Sequence, residues 1–385
     1  MIYADYNGSA PLDSQVKNYL LKRLEDGPFA NPNAIHNLGT KTLMGMEKAR
    51  SICAKILGAK KHQIFFNSGS TEGIATVFHS ILSEAKKNHK TSFIISGFEH
   101  AAIPNTASYY QKEGFEIKTL PTTKSGIVDL EVLKKWLEEG RDQLAMVSIM
   151  AANNESGIIQ PYKEIGRLCN SYGIPFFCDT TQYIGKAHFN FEESEMDYAI
   201  LSGHKIGALT GAGILLAKEP SLLKPLIIGG GQETGLRGGT QNYIGNETLA
   251  VALTSVEEKL AHSKEIELAR NAFEKDIKDS FPEVVIIGES SPRLGTTTYL
   301  SYPGIHGQAI QIELESDNIF VTTSSACSDN SPVTSHVLKA MGISDEVGRG
   351  VVRISLGMDS PLGYYKEIGE KLKKAYRKLS KVKSF

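Results

Sequence analysis

Lys205 closes the stretch Asp197-Tyr-Ala-Ile-Leu-Ser-Gly-His-Lys, in which the apolar run Tyr198 to Leu201 gives way to Ser202, Gly203 and His204. A lysine at the end of a buried strand, framed by small and hydroxyl residues, can be drawn into a dry pocket. There its pKa falls and its amine becomes a nucleophile able to form an imine. Most lysines are solvated surface charges, so the neighbouring groups must decide. Asp179 is the first of these. It ends the apolar run Ile174-Pro-Phe-Phe-Cys178 and precedes Thr180, Thr181 and Gln182. Its plain reading is a helix cap; its chemical reading is an acid that holds a protonated ring nitrogen. Together the two side chains meet the needs of pyridoxal 5'-phosphate, which takes a lysine for its imine and an acid to keep its ring an electron sink.

Such a cofactor also needs a cradle for its phosphate. Ser68-Gly69-Ser70-Thr71 joins a predicted strand to a predicted helix, where N–H groups, hydroxyls and the helix dipole converge on an anion. Ser202 and His204 can close the same site. His100, after Phe98-Glu99, can stack on a planar ring, or simply start a helix. Asn154 and Gln182 can donate to a ring hydroxyl oxygen or to substrate, or satisfy nearby backbone. Arg353, in Val351-Val-Arg-Ile-Ser355, suits a bidentate grip on an α-carboxylate, with an internal ion pair as the alternative. Cys327 lies in the polar stretch Thr323-Ser-Ser-Ala-Cys-Ser-Asp-Asn-Ser-Pro332.

These residues sit on an alternating pattern. Strands are expected at 63–67, 92–96, 116–120, 144–149, 174–178, 198–201 and 213–216, with helices over 40–57, 71–85, from 100, and over 130–139 and 162–172. That alternation predicts an α/β fold with a mostly parallel sheet covered on both faces and ligands beyond the strand carboxyl ends. A loop over 229–240 and a long helical region over 242–279 follow. Further strands at 284–287, 296–301, 319–322 and 351–355, with helices from 306, over 332–341 and from 362, define a smaller α+β domain. Residues 13–251 are expected to form the large domain, and residues 1–12 with 252–385 the small one.

The 385-residue chain carries 42 Lys and Arg against 43 Asp and Glu, a net charge of −1. That balance gives no electrostatic case for nucleic acid or a membrane surface. No basic-then-apolar leader opens the sequence, so a cytoplasmic location is expected. Of four cysteines, Cys53, Cys169 and Cys178 read as buried small hydrophobes. No pair has metal-ligand spacing, and no metal site is expected.

The sequence resembles a known family through motifs that occur in one order: Asn67-Ser-Gly-Ser-Thr-Glu72, Glu99-His100, Asn153-Asn-Glu-Ser-Gly157, Asp179-Thr-Thr-Gln182, Ser202-Gly-His-Lys205, the Gly229–Thr240 loop, Ser325-Ala-Cys-Ser328 and Val352-Arg-Ile-Ser-Leu-Gly357. Over nearly the whole chain they are similar to the cysteine desulfurases of NifS/IscS type, in the class V aminotransferase group. The resemblance implies the fold-type I architecture of pyridoxal phosphate enzymes, with a large mostly parallel seven-stranded sheet, and a homodimer with sites near the subunit interface. It implies Lys205 as the imine lysine, Asp179 as partner of the ring nitrogen and His100 as the stacking histidine. Gln182 and Asn154 would contact the ring hydroxyl and substrate. Ser70, Thr71, Ser202 and His204 would hold the phosphate, with Thr240 reaching across from the other subunit. Arg353 would anchor the substrate carboxylate and Cys327 would be the nucleophile. Near the start, where the family commonly reads Asp-Asn-Asn-Ala-Thr-Thr, this chain reads Asp5-Tyr-Asn-Gly-Ser-Ala10, and only Asp5 and Asn7 fit. After Lys205, the usual Gly-Pro-Lys-Gly reads Gly207-Ala-Leu-Thr-Gly211.

The implied reaction converts L-cysteine to L-alanine. Lys205 moves the α-proton, the Cys327 thiolate attacks the substrate sulfur, and a persulfide on Cys327 passes sulfur to a protein acceptor for iron–sulfur cluster assembly or thiolation. A selenocysteine lyase, or another class V aminotransferase-type enzyme, is the alternative, and a non-catalytic scaffold of the same fold a third. The thiol discriminates, since transamination needs none. Cys327→Ser is therefore expected to keep the cofactor yet release no sulfide from L-cysteine, measured as sulfide per bound cofactor; undiminished release makes Cys327 structural.

Overall fold

The computed structural model describes residues 1–323 and 334–381. It opens with a two-residue strand, β1 (Ile2–Tyr3), followed by helices α1 (Ser14–Asp26) and α2 (Asn37–Ile56). Asp13 caps α1 by accepting from the backbone N–H of Gln15 and Val16, and Gly27 ends it at φ 65°. The next elements alternate: β2 (Ile64–Asn67), α3 (Ser70–Lys87), β3 (Ser92–Ser96), α4 (Ala102–Lys112), β4 (Glu116–Leu120), α5 (Leu130–Gly140), β5 (Leu144–Ser148), α6 (Tyr162–Tyr172), β6 (Phe176–Asp179), β7 (Tyr198–Ser202) and β8 (Gly213–Ala217).

These strands build one seven-stranded sheet in the order β2-β8-β7-β6-β5-β3-β4. All pairs from β7 through β4 are parallel, and β8 runs antiparallel to both its neighbours. Strands β3, β5, β6, β7 and β8 are buried along their whole length. Helices cover both faces, so their side chains are apolar on both sides instead of alternating. One apolar cluster includes Cys53, Val147, Phe176 and Leu201; the other includes Phe78, Phe93, Phe177 and Ile200. Successive residues of one strand, Phe176 and Phe177, thus enter opposite cores.

A smaller part follows. Where one long helical region is expected, two helices form, α7 (Tyr243–Lys259) and α8 (Ser263–Ser280), separated by a tight turn at Leu260–His262. Then come β9 (Val285–Ile286), β10 (Thr297–Ser301), α9 (Gly307–Ser316), β11 (Ile319–Phe320), α10 (His336–Ala340), α11 (Asp345–Gly348), β12 (Val351–Ser355) and α12 (Gly363–Leu379). Strands β12-β10-β9 form an antiparallel sheet, and β1 pairs in parallel with β11. A separate core gathers Ile2, Ala4, Phe273, Leu314, Ile354, Leu372 and Tyr376. The first residues of the chain thereby belong to this smaller core. Helices α1 and α11 are additions to the sequence-based expectation, and the expected helix over 332–341 is shorter among the described residues.

The Gly-rich loop is tied down by charge. Its Glu233 and Thr234 adopt left-handed backbone, at φ 49° and 55°, a conformation costly for residues with a Cβ. The Glu233 carboxylate receives Arg50 twice, at 2.7 and 2.8 Å, and the Phe66 N–H at 3.0 Å. Arg50 also donates to the Ile64 carbonyl and lies 4.5 Å from the centre of the Phe66 ring. Removing one member of a buried pair leaves an uncompensated charge, at a cost of roughly 3–5 kcal/mol. Arg50→Ala is expected to lower the unfolding free energy by about that much in denaturant titration; a loss below about 1 kcal/mol would mean the pair is not buried as described.

Candidate active site

The carboxyl ends of β2, β3, β5, β6 and β7 open onto a cavity of about 480 Å³. Ten of the twelve residues singled out from the sequence line it: Ser70, Thr71, His100, Asn154, Asp179, Gln182, Ser202, His204, Lys205 and Arg353. Thr240 does not; it is exposed on the Gly-rich loop. Cys327 lies outside the described residues. On one side of it Thr322 lines the cavity wall; on the other the His336 Nε2 donates at 2.8 Å to the carbonyl of Glu99, the residue before His100.

Lys205 follows β7 in a short turn, Gly203–Lys205. Its Nζ donates to the carbonyls of Asn7 (2.8 Å) and Gly8 (2.6 Å). Burial and then the Arg353 cation pull its pKa down from 10.5 to about 8, against the opposing pull of Asp5 and Asp179. At pH 8 an ordinary lysine is only about 0.3% neutral, whereas one with a pKa near 8 is about half neutral. The amine is therefore a usable nucleophile and base near neutral pH. His204 is held neutral by burial and by Lys205, its pKa lowered to about 4, and its Nδ1 lies 3.1 Å from Ser9 Oγ.

Opposite the amine, Asp179 ends β6 with its side chain buried. One oxygen accepts the Thr181 N–H at 2.9 Å. Helix α3 begins at the cavity wall, and Gly69 leaves its N-terminus without a side-chain cap. The helix therefore presents orphan N–H groups to the space. Gly69 has φ 144°, and a Cβ there would come within 3.1 Å of Ser202 Oγ. Ser70 Oγ and Thr181 Oγ1 are 2.6 Å apart.

His100 combines both readings of its position. Its Nδ1 accepts the Ala102 N–H at 3.2 Å, a helix-start bond, and its ring also lines the cavity. In the neutral ring that bond places the proton on Nε2. Burial lowers its pKa. Beneath it, burial raises Glu99 to about 8. Glu99 bonds Ser96 Oγ and accepts the Met150 N–H at 2.9 Å, and its second oxygen has no partner. Arg353 pairs with Asp5 at 2.6 Å and donates to the Asn154 carbonyl at 2.9 Å, while its Nε is buried and unpaired.

The sequence singles out Asp5 and Asn7 only as the two positions that keep a family motif in a segment that otherwise departs from it. In the structure residues 5–10 form a strap across the site. Tyr6 and Asn7 bond Ser355 at the end of β12, and the Ala10 N–H reaches the His204 carbonyl at 2.9 Å. Lys186 was missed altogether. It is buried four residues after Gln182, and its only signal in the sequence is that spacing, in Gln182-Tyr-Ile-Gly-Lys186.

A fold of this kind with a buried lysine, an acid and an anion cradle on one sheet edge defines a class of cofactor enzyme. The chain belongs to the aminotransferase class V family, whose model matches residues 2–362. It is 32% identical to the cysteine desulfurase IscS of Dictyoglomus turgidum, over 99% of this chain and 97% of that relative. It is 35% identical to the cysteine desulfurase IscS of Rickettsia typhi, over 92% and 86%. Among solved structures, a NifS-like protein superposes with a TM-score of 0.89 at 34% identity, covering 99% of this chain and all of that one. SspA in complex with cysteine gives a TM-score of 0.80 at 30% identity, covering 92% and 99%.

The family's cofactor is pyridoxal 5'-phosphate, and the cavity fits it on three observations. The uncapped N-terminus of α3 suits the phosphate. The Asp179 side chain, bonded on one oxygen to the Thr181 N–H, suits the ring nitrogen. The Asn154 Oδ1 is buried without a partner at the wall.

In cofactor-free protein, Lys205 is expected to react with an amine-acylating reagent with a midpoint near pH 8, followed peptide by peptide in a mass spectrometer. Removing a cation that lowers the pKa must raise it, so Arg353→Ala is expected to shift the midpoint upward. A wild-type midpoint near 10.5 would place the amine in water.

Proposed function

We propose that this protein is a pyridoxal-phosphate-dependent cysteine desulfurase that converts L-cysteine to L-alanine and carries the sulfur away as a persulfide on Cys327. The observation that carries the proposal is the convergence of the Lys205 amine, the Asp179 carboxylate and the bare N-terminus of α3 on one cavity. When bound, the cofactor supplies an electron sink that labilises the α-hydrogen and the carbon–sulfur bond of its amino-acid partner.

The chain's own residues would do the rest. Lys205 would attach the cofactor and, near its pKa of about 8, give and take the α-proton. Asp179 would keep the ring nitrogen protonated, and His100 would lie against the ring. Ser70, Thr71, Ser202 and His204 would surround the phosphate, with Asn154 and Gln182 at the ring oxygen and substrate. Arg353 would take the substrate carboxylate through its unpaired Nε and by sharing the guanidinium now held by Asp5. Cys327 is supported as nucleophile by elimination and by place. Burial raises the thiol pKa of Cys53, Cys178 and Cys169, so they stay protonated and poorly nucleophilic. On one side of the Cys327 segment Thr322 lines the cavity, and on the other His336 bonds the carbonyl of Glu99, the residue before the cavity-lining His100. The reaction balances as cysteine plus enzyme thiol giving alanine plus enzyme persulfide.

The working unit on this reading is a homodimer. Leu21, Leu24, Ile35, Leu38 and Met44, close in sequence, and Ile228 in the Gly-rich region are large apolar side chains left exposed, the kind of surface that subunit contacts use. Thr240 is exposed and does not line its own cavity, and the partner subunit's Thr240 would complete the phosphate site. Residues 13–251 would act as the cofactor domain, and residues 1–12 with 252–385 as the domain that carries Arg353 and Cys327. The sulfur acceptor is a protein that receives the persulfide, in iron–sulfur cluster assembly or thiolation, within the cytoplasm.

The deciding assay incubates the yellow protein with L-cysteine and measures alanine and sulfane sulfur together, expected one to one. Arg353→Ala is expected to raise KM by about 10- to 150-fold, the loss of one charge-assisted hydrogen bond. Alanine formed without sulfur would sink the desulfurase reading, and an unchanged KM would leave Arg353 as Asp5's partner only.

A further inference from the structure

Lys186 is a buried amine without an ion pair among the described residues. Burying an amine costs several kcal/mol, and an apolar side chain of the same length would avoid that cost. Its Nζ donates to two amide oxygens, Asn7 Oδ1 at 2.6 Å and Gln182 Oε1. Neither of the two amides is symmetric in what its other end does. Gln182 Nε2 donates to the Asn7 carbonyl at 2.9 Å, and Gln182 lines the cofactor cavity. Asn7 Nδ2 donates to the Asn154 carbonyl and to Thr297 Oγ1, each at 3.1 Å. The Asn7 carbonyl that receives Gln182 also receives Lys205.

From this network we infer that Lys186 is a positioning residue, which fixes the Gln182 amide with its nitrogen toward the cavity and clamps the strap of residues 5–10 over Lys205. An amine that gives hydrogens to an amide determines which end is oxygen, because only the oxygen accepts. With Oε1 so engaged, one hydrogen of Gln182 Nε2 serves the Asn7 carbonyl and the second is left for a ligand oxygen. Lys186 itself lines not this cavity but a neighbouring one of about 250 Å³ that also reaches Lys205. It therefore acts through Gln182 and Asn7, and touches no reacting atom. Burial holds its pKa well below the ordinary lysine value; a neutral amine still has two hydrogens for the two oxygens.

This inference rests on the cofactor reading, in which Gln182 donates to the ring hydroxyl oxygen. Such a donor favours the deprotonated oxygen, so its loss raises the pH at which the bound cofactor changes its absorbance. The test titrates that absorbance in wild type, Lys186→Met, Gln182→Leu and the double variant. Lys186→Met is expected to retain cofactor and shift the midpoint up by about one unit, a tenfold change. Gln182→Leu is expected to give a shift of the same size, and the double variant no more than either alone. An unchanged midpoint in Lys186→Met, or shifts that add, would overturn the assignment. If Lys186→Met does not fold, Lys186→Arg keeps both donors and is expected to hold the wild-type midpoint; a full-unit shift would count against the clamp. In cofactor-free protein, backbone amides of residues 6–10 are expected to exchange roughly tenfold faster in Lys186→Met, and equal rates would remove the strap half of the inference. A wild-type protein that takes up no cofactor would instead sink the reading of the site, with the exchange measurement still judging Lys186.

Discussion

The structure depends on keeping one amine dry without giving it a counter-ion of its own. Burial and the Arg353 cation push the Lys205 ammonium toward its neutral form, and Asp5 and Asp179 push back less strongly. The balance leaves the nitrogen solvated by two backbone carbonyls in place of water. A carboxylate at the same distance would restore the charge and end the nucleophile. Much of the surrounding architecture follows from that choice. The carbonyls belong to Asn7 and Gly8, far from Lys205 in sequence, so that segment must be held down by Ser355, by Thr297 and by Lys186.

The sheet does the complementary work. Parallel strands force every crossover through a helix and leave all strand carboxyl ends on one edge. Five such ends deliver chemically different groups to one volume: hydroxyls and a helix N-terminus from β2, an imidazole from β3, an amide from β5, a carboxylate from β6 and an amine from β7. Among the described residues, Arg353, Thr322 and the strap arrive from the smaller part of the fold. Asp5 and Arg353, both from that smaller part, pair with each other at 2.6 Å on the wall that faces the sheet's carboxyl ends.

Most of the large sheet was legible in the sequence, because fully buried parallel strands read as uninterrupted apolar runs. Ser92–Ser96 matches its expected limits, and so does the edge strand Glu116–Leu120, which is polar and largely uncovered. Helix α1 left little trace: of its side chains only Val16 and Arg23 are buried, and Leu21 and Leu24 face outward. The break between α7 and α8 carries no glycine or proline to announce it. Ten of the residues that line the cavity were singled out in the sequence, nine of them at or just beyond strand ends and Arg353 within a strand. The roles of Asn7 and Lys186 were not legible there, since their meaning lies in partners far along the chain or in a backbone carbonyl. Local patterns record which face is apolar, and they do not record which distant oxygen a buried nitrogen will meet.

The pairing of Ile2 with Ile319 has a consequence for biosynthesis. Strand β1 leaves the ribosome long before β11, its partner in the fold. The large sheet can therefore fold vectorially while the lysine pocket still lacks its cover. A nascent chain is thus kept from becoming a working enzyme until β11 and β12 have been made, and a ribosome stalled before β11 would hold the strands of the large sheet with an incomplete site.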